Sequence, residues 1–183
     1  MRVTGMTPLA VIGGALVGVL AATGSTPRVP QPPTPTPEAD TSEQSGPWDL
    51  LLTDVRVGHH EGFDRVVLEF DGDGVPGWYV EYVDRAVSDG SGYRIRLPGE
   101  SILQVGVSGT FWPGPGDPTY YDGPDRLPAD PAGALTEVYV GGTFEGYTQV
   151  FVGLDGDPAP FEVFTLDDPA RLVVDVRGER PAS

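Results

Sequence analysis

The strongest pattern along the chain is alternation. Leu172, Val174 and Val176 alternate with Arg171, Val173, Asp175 and Arg177, giving one mainly apolar face. A period of two predicts a β-strand lying half-buried on a core. The stretch 161–178 reads as two such strands joined by Asp167-Asp168-Pro169. Asp bonds its own backbone in turns, and Pro presets φ and cannot continue a ladder.

A similar hairpin lies upstream, over 55–83. Leu51, Val55 and Val57 share a face opposite Asp54 and Arg56. Residues 58–62 read as a connection. Val66, Leu68 and Phe70 then alternate with Arg65, Val67 and Glu69. After a Gly/Asp/Pro turn at 71–77, Trp78, Val80 and Tyr82 begin another strand. Ile95 and Leu97 sit in one more, past the turn at 89–92.

The unit then repeats. Val138-Tyr139-Val140-Gly141 aligns with Val55-Arg56-Val57-Gly58, and 145–150 aligns with 61–66 after one inserted residue. Val150, Val152 and Leu154 match Val66, Leu68 and Phe70, Asp155-Gly156-Asp157 matches Asp71-Gly72-Asp73, and Val163 falls opposite Val80. No long segment has helical periodicity. The expected fold is all-β, a β-sandwich of two similar β units burying their apolar faces against each other. Between the copies, 108–134 has no period and many turn residues. A loop of that length is often functional.

Composition narrows the partners. With 27 acidic and 11 basic residues the net charge is -16, which repels nucleic acid and anionic lipid. The absence of cysteine excludes disulfides, thiolate metal sites and a Cys nucleophile.

The N-terminal segment has a different character. Arg2 precedes an apolar run at 9–22, with Ala22 and Gly24 as small residues before Ser25. This predicts a signal peptide over 1–24, or an uncleaved anchor, although the run is short for the roughly 20 residues that span a bilayer. Residues 25–47 are rich in Pro, Ser and Thr and predict a disordered linker acting as an extended stalk. The folded domain is expected over 48–178, with a tail at 179–183.

Taken together, VRVGHHEGFDRVVLEFDG, PGWYVEYV, DGSGY, YDGP, FEGYTQVFVGLDG and PFEVFTLDDPARLVVDV resemble the AMIN-like domain of actinobacterial cell-envelope proteins. The closing segment is similar to the wider AMIN domain. The resemblance covers about 50–178. It implies a β-sandwich that targets proteins to the envelope, with peptidoglycan a proposed ligand and no catalytic residues to carry over. Many members have a lipid-anchoring Cys after the signal, and Leu20-Ala21-Ala22-Thr23-Gly24-Ser25 lacks it.

Candidate ligand-binding residues cluster in the middle loop: Phe111, Trp112, Tyr120, Tyr121, Asp122 and Arg126, with Asp117 and Asp125 nearby. Sugar rings offer apolar C–H faces to aromatic planes, and their hydroxyls need polar partners. The bland alternative is that the rings fold back and cap the core. His59-His60-Glu61 has no third metal ligand at a recognisable spacing and is expected to be a solvated loop pair. The Asp/Gly turns at 71–74 and 155–157 resemble the start of calcium loops, but the first would need Glu at position 82, where Tyr82 stands, and both are expected to be hairpin turns. Gly90-Ser91-Gly92 is not a nucleophile elbow. Arg171 and Asp175 are expected to pair.

The function expected is that of an exported, non-catalytic binding module of the cell envelope. It would recognise peptidoglycan or another cell-wall glycan, without metal or cofactor. Membrane contact would come only through an uncleaved N-terminus. The alternatives are a protein-interaction module that adds an edge strand to an envelope assembly, and a wall-glycan hydrolase using a carboxylate pair.

Overall fold

The computed structural model describes residues 38–178. The expected signal segment, the linker before residue 38 and the tail at 179–183 lie outside the described residues. Twelve strands follow in order: β1 (Asp40–Ser42), β2 (Leu51–His60), β3 (Phe63–Asp71), β4 (Gly77–Tyr82), β5 (Ala86–Val87), β6 (Arg94–Ile95), β7 (Ser101–Ser108), β8 (Arg126–Pro128), β9 (Leu135–Phe144), β10 (Tyr147–Leu154), β11 (Phe161–Leu166) and β12 (Ala170–Arg177). No helix occurs among the described residues.

Two sheets face each other. Sheet A has the order β11-β12-β3-β2, and sheet B the order β1-β4-β7-β10-β9-β8. The alternating valines and leucines of both repeats meet between them. Val55, Val66, Leu68, Phe70, Leu172, Val174 and Val176 of sheet A pack with Val80, Leu103, Val105, Val138, Val150, Val152 and Leu154 of sheet B in one core. The expected sandwich of two similar units is therefore present. Its units are not its layers, however. The hairpin β2–β3 lies in sheet A while β4 and β7, which follow it, lie in sheet B; β9–β10 lies in sheet B while β11 and β12 lie in sheet A. The inner edge of β3 is taken by β12, and that of β10 by β7. The chain leaving each hairpin therefore crosses to the facing sheet, about 10 Å away.

The two hairpins keep matching irregularities. Thr53 is passed over in the β2–β3 register, and Thr136 in the β9–β10 register. Because a bulge changes which face follows, Leu52 rather than Leu51 enters the main core. The residue inserted in the second copy is Gly141, passed over where Val140 pairs with Val150 and Gly142 with Gln149.

Three expectations change. The region assigned to the linker already contains β1, whose Thr41 pairs with Tyr79, and Ser45 bridges Val75. Asp40 also accepts a 2.7 Å bond from the Trp78 indole. The connection expected at 58–62 is shorter, since His59 and His60 belong to β2. Arg171 does not pair with Asp175. It donates to the carbonyls of Asp167 and Pro169, while Asp175 takes a two-pronged bond from Arg65 at 2.6 and 2.7 Å. Four residues along a strand span about 13 Å, whereas Arg65 stands directly across from Asp175. That bond raises the Arg65 pKa above its ordinary value. The guanidinium also lies over the Phe63 and Phe164 rings, at 5.3 and 5.6 Å.

Two polar clasps close the sandwich. The Tyr82 hydroxyl donates to the Ala159 carbonyl at 2.8 Å and accepts from its amide at 2.9 Å. This joins β4 to the chain entering β11, and burial pushes the hydroxyl up to about 12. At the β2–β3 turn, Asp64 is 2% exposed. It accepts the Leu135 amide at 2.9 Å and meets His59 Nδ1 at 2.6 Å, tying β3 to the start of β9.

Candidate functional site

The candidate site is built on the outer face of sheet B. One row across it is Tyr79, Gly106, Gln149 and Gly142; a second is Gly77, Ser108, Tyr147 and Phe144. Glycine in these rows lowers the floor. A Cβ on Gly106 would come within 2.0 Å of the Tyr79 ring, which occupies the space a side chain there would need. Gly142 sits at φ +82 beside the bulge, a conformation that favours glycine.

A small flap forms one wall. The hairpin β5–β6 folds over the sheet, and Ala86 and Ile95 bury Phe151 in a second core that Val83, Leu97, Ile102 and Tyr139 complete. The tip of the flap is fixed by Gln149, 4% exposed. Its side-chain amide donates to the Val87 carbonyl and accepts from the Asp89 amide, both at 3.2 Å. Gly90 leans on the Phe144 ring. Between flap and sheet lies a cleft of about 380 Å³, lined by Ser88, Asp89, Ser91, Thr143, Phe144, Tyr147 and Gln149. That volume falls in the range of small-ligand sites.

The middle loop forms the other wall. Its Tyr121 amide donates to the Leu52 carbonyl at 2.8 Å, and the Tyr120 hydroxyl lies 3.3 Å from Thr143 Oγ1. Tyr120 and Tyr121 pack partly on the core and line a second cleft of about 160 Å³ with Asp125 and Tyr139. Gly141 and Gly142 line both clefts, so the pair is joined by a shared border at the bulge. Burial, and then Asp54, Asp125 and Asp122, raise the Tyr121 hydroxyl above its ordinary pKa.

The six residues singled out from the sequence thus divide. Tyr120 and Tyr121 line the joined clefts, and Asp122 follows them on the exposed loop. Arg126 borders the smaller cleft without lining it, bonded to Glu137 and the Arg96 carbonyl and lying over the face of Tyr139. Phe111 and Trp112 line neither cleft and are 39% and 54% exposed. Their segment starts at the β9–β10 turn, where Thr110 bonds Gly146 and the Trp48 ring covers that glycine. The residues that sequence patterns did not mark are Asp89, Phe144, Tyr147 and Gln149. Phe144 and Tyr147 flank the repeated Glu-Gly turn, and that flanking position was their only trace in the sequence.

The histidines are part of strand β2 and point apart, His59 to Asp64 and His60 onto the Phe63 ring at 4.7 Å. Among the described residues no group of three or more His, Asp or Glu side chains is placed to hold a metal ion.

The family model of the AMIN-like domain matches residues 50–178. The chain belongs to the AMIN-like domain family. AMIN-like domains are cell-envelope modules, typically non-catalytic, and they occur in envelope or periplasmic proteins, which points to export. No curated protein and no solved structure matches the chain. The AMIN-like match takes in both repeats, the flap and the middle loop, while β1 lies ahead of it.

Proposed function

We propose that this AMIN-like protein is an exported, non-catalytic module that holds a cell-wall glycan, peptidoglycan first among them, in the joined clefts on sheet B. The observation that carries this reading is the lining itself. Tyr120, Tyr121, Tyr139, Phe144 and Tyr147 stand beside the hydroxyls of Ser88, Ser91 and Thr143, with Val140 the single aliphatic side chain. Aromatic planes beside hydrogen-bonding groups match the two kinds of surface a sugar presents. Each cleft carries one carboxylate, Asp89 or Asp125, whereas glycoside hydrolysis uses a pair across one bond.

The sheet edges support a glycan over an added strand. β1 and β8 have three residues each, and β8 ends on Pro128. The Leu50 and Leu52 carbonyls at the edge of β2 are taken by Phe111 and Tyr121. On β11, Phe161 and Val163 are 1% and 4% exposed, and the exposed part of the strand is its end at Leu166.

Co-sedimentation of the full chain with insoluble peptidoglycan, at low and near-physiological salt, tests this. Wild type is expected in the pellet at both. Tyr121→Ala with Tyr147→Ala should lower retention about tenfold, in line with the loss of two stacking anchors. Trp112→Ala should have a smaller effect. Equal retention of the folded double variant would remove the clefts from the account, and a wild type that stays in solution would remove the wall glycan.

A further inference from the structure

We infer that the joined clefts select a hexosamine chain whose amino groups are free and protonated; this inference rests on the reading that they hold a wall glycan. The charges around the clefts carry it. The titratable side chains lining the clefts are the carboxylates Asp89 and Asp125 and the tyrosines, and no Arg or His lines either cleft. Arg126, the cation nearest in sequence to the loop, is held by Glu137 and the Tyr139 face. The Asp89 backbone is fixed by Gln149, so its carboxylate is presented from a pinned loop. Asp54 and Asp122 add to the negative field around Tyr121, and Glu81 and Asp89 to that around Tyr79.

A polymer with a phosphate backbone would meet the carboxylates Asp89 and Asp125 in these clefts, while the Arg126 charge over Tyr139 is already offset by Glu137. A fully acetylated sugar chain would gain stacking and hydroxyl bonds, those to Asp89 and Asp125 included, but no ion pair. An ammonium group adds that pair. A proline-rich peptide would be served better by aliphatic pockets than by Ser88, Ser91, Thr143 and Gln149.

The probes are the glucosamine hexamer and the N-acetylglucosamine hexamer, titrated into the full chain at low and near-physiological salt. An exposed ammonium–carboxylate pair is worth up to about fivefold, so two pairs give an expected preference of about tenfold for the amino form, smaller at higher salt. Asp89→Asn with Asp125→Asn should erase that preference, read as the ratio of the two affinities in the same variant. Asp71→Asn with Asp73→Asn removes the same charge from a separate cleft at the end of the sandwich. It should leave the preference intact.

Equal or reversed preference in the wild type overturns the inference. So does a preference lost equally in both double variants, which would mean general attraction to a chain of net charge -16. Tighter binding of a peptide spanning residues 26–37 than of either sugar also overturns it, in favour of a peptide groove. If the chain still sediments with peptidoglycan in any of these cases, only the amino-sugar selectivity fails. If it does not sediment, the glycan reading beneath it fails too.

Discussion

Asp64→Ala is expected to lower the unfolding free energy by about 3 kcal/mol, since a hydrogen bond to a charged group contributes roughly 1.5–3 kcal/mol and a buried amide left without an acceptor costs about 1–3. The carboxyl group is buried at the mouth of the β2–β3 hairpin and bonds both the Leu135 amide and His59. Gly133 packs so closely on it that a Cβ there would lie 2.1 Å from Oδ1, so the site has no room for a rescuing side chain. His59→Ala removes one bond from a ring that is a quarter exposed, and should cost about 1 kcal/mol. Urea titration reads both as shifts in midpoint at constant slope. If Asp64→Ala cost no more than His59→Ala, the tie between β3 and β9 would carry no weight.

Phe151→Ala is expected to act on stability and binding together. The ring is fully buried, yet it lies on the outer face of sheet B, where only the flap covers it. Removing a buried phenyl group costs about 3–5 kcal/mol, and this small second core places the change near the lower figure. With Ala86 and Ile95 released, Ser88, Asp89 and Ser91 no longer wall the larger cleft. Retention on peptidoglycan should fall about tenfold in the folded protein, as for loss of anchoring contacts. Leu172→Ala, a comparable loss in the main core, should leave retention of the folded fraction unchanged. Equal binding by the Phe151 variant would separate the flap from the site.

Much of the fold could be read from the sequence because its signal is local. The alternation of Val66, Leu68 and Phe70 and its echo in Val150, Val152 and Leu154 gave the hairpins, and the single inserted residue marked the bulge at Gly141. The exchange of strands between sheets left no such trace, since periodicity says which face a residue takes and not which sheet its strand joins. β1 was hidden for another reason. Asp-Thr-Ser has no apolar rhythm, and the strand is held by its ladder to β4 and the Asp40–Trp78 bond. Arg65 and Asp175 are 110 positions apart, beyond any sequence-spacing rule. The candidate site was half legible. Tyr120 and Tyr121 stood out in a Gly/Pro-rich loop, but the clefts also draw on 88–91 and 141–149, segments that read as turn and strand alone. Phe151 was the overlooked clue, an aromatic at the repeat position of Val67 on the face turned away from the core.

The most direct measurement is amide chemical-shift mapping of the ¹⁵N-labelled full chain as soluble fragments of digested peptidoglycan are added. The account predicts shifts concentrated at 88–91, 120–123 and 141–149, along the joined clefts. Shifts concentrated instead at Phe63, Arg65, Phe164 and Arg177, on the outer face of sheet A, would contradict it.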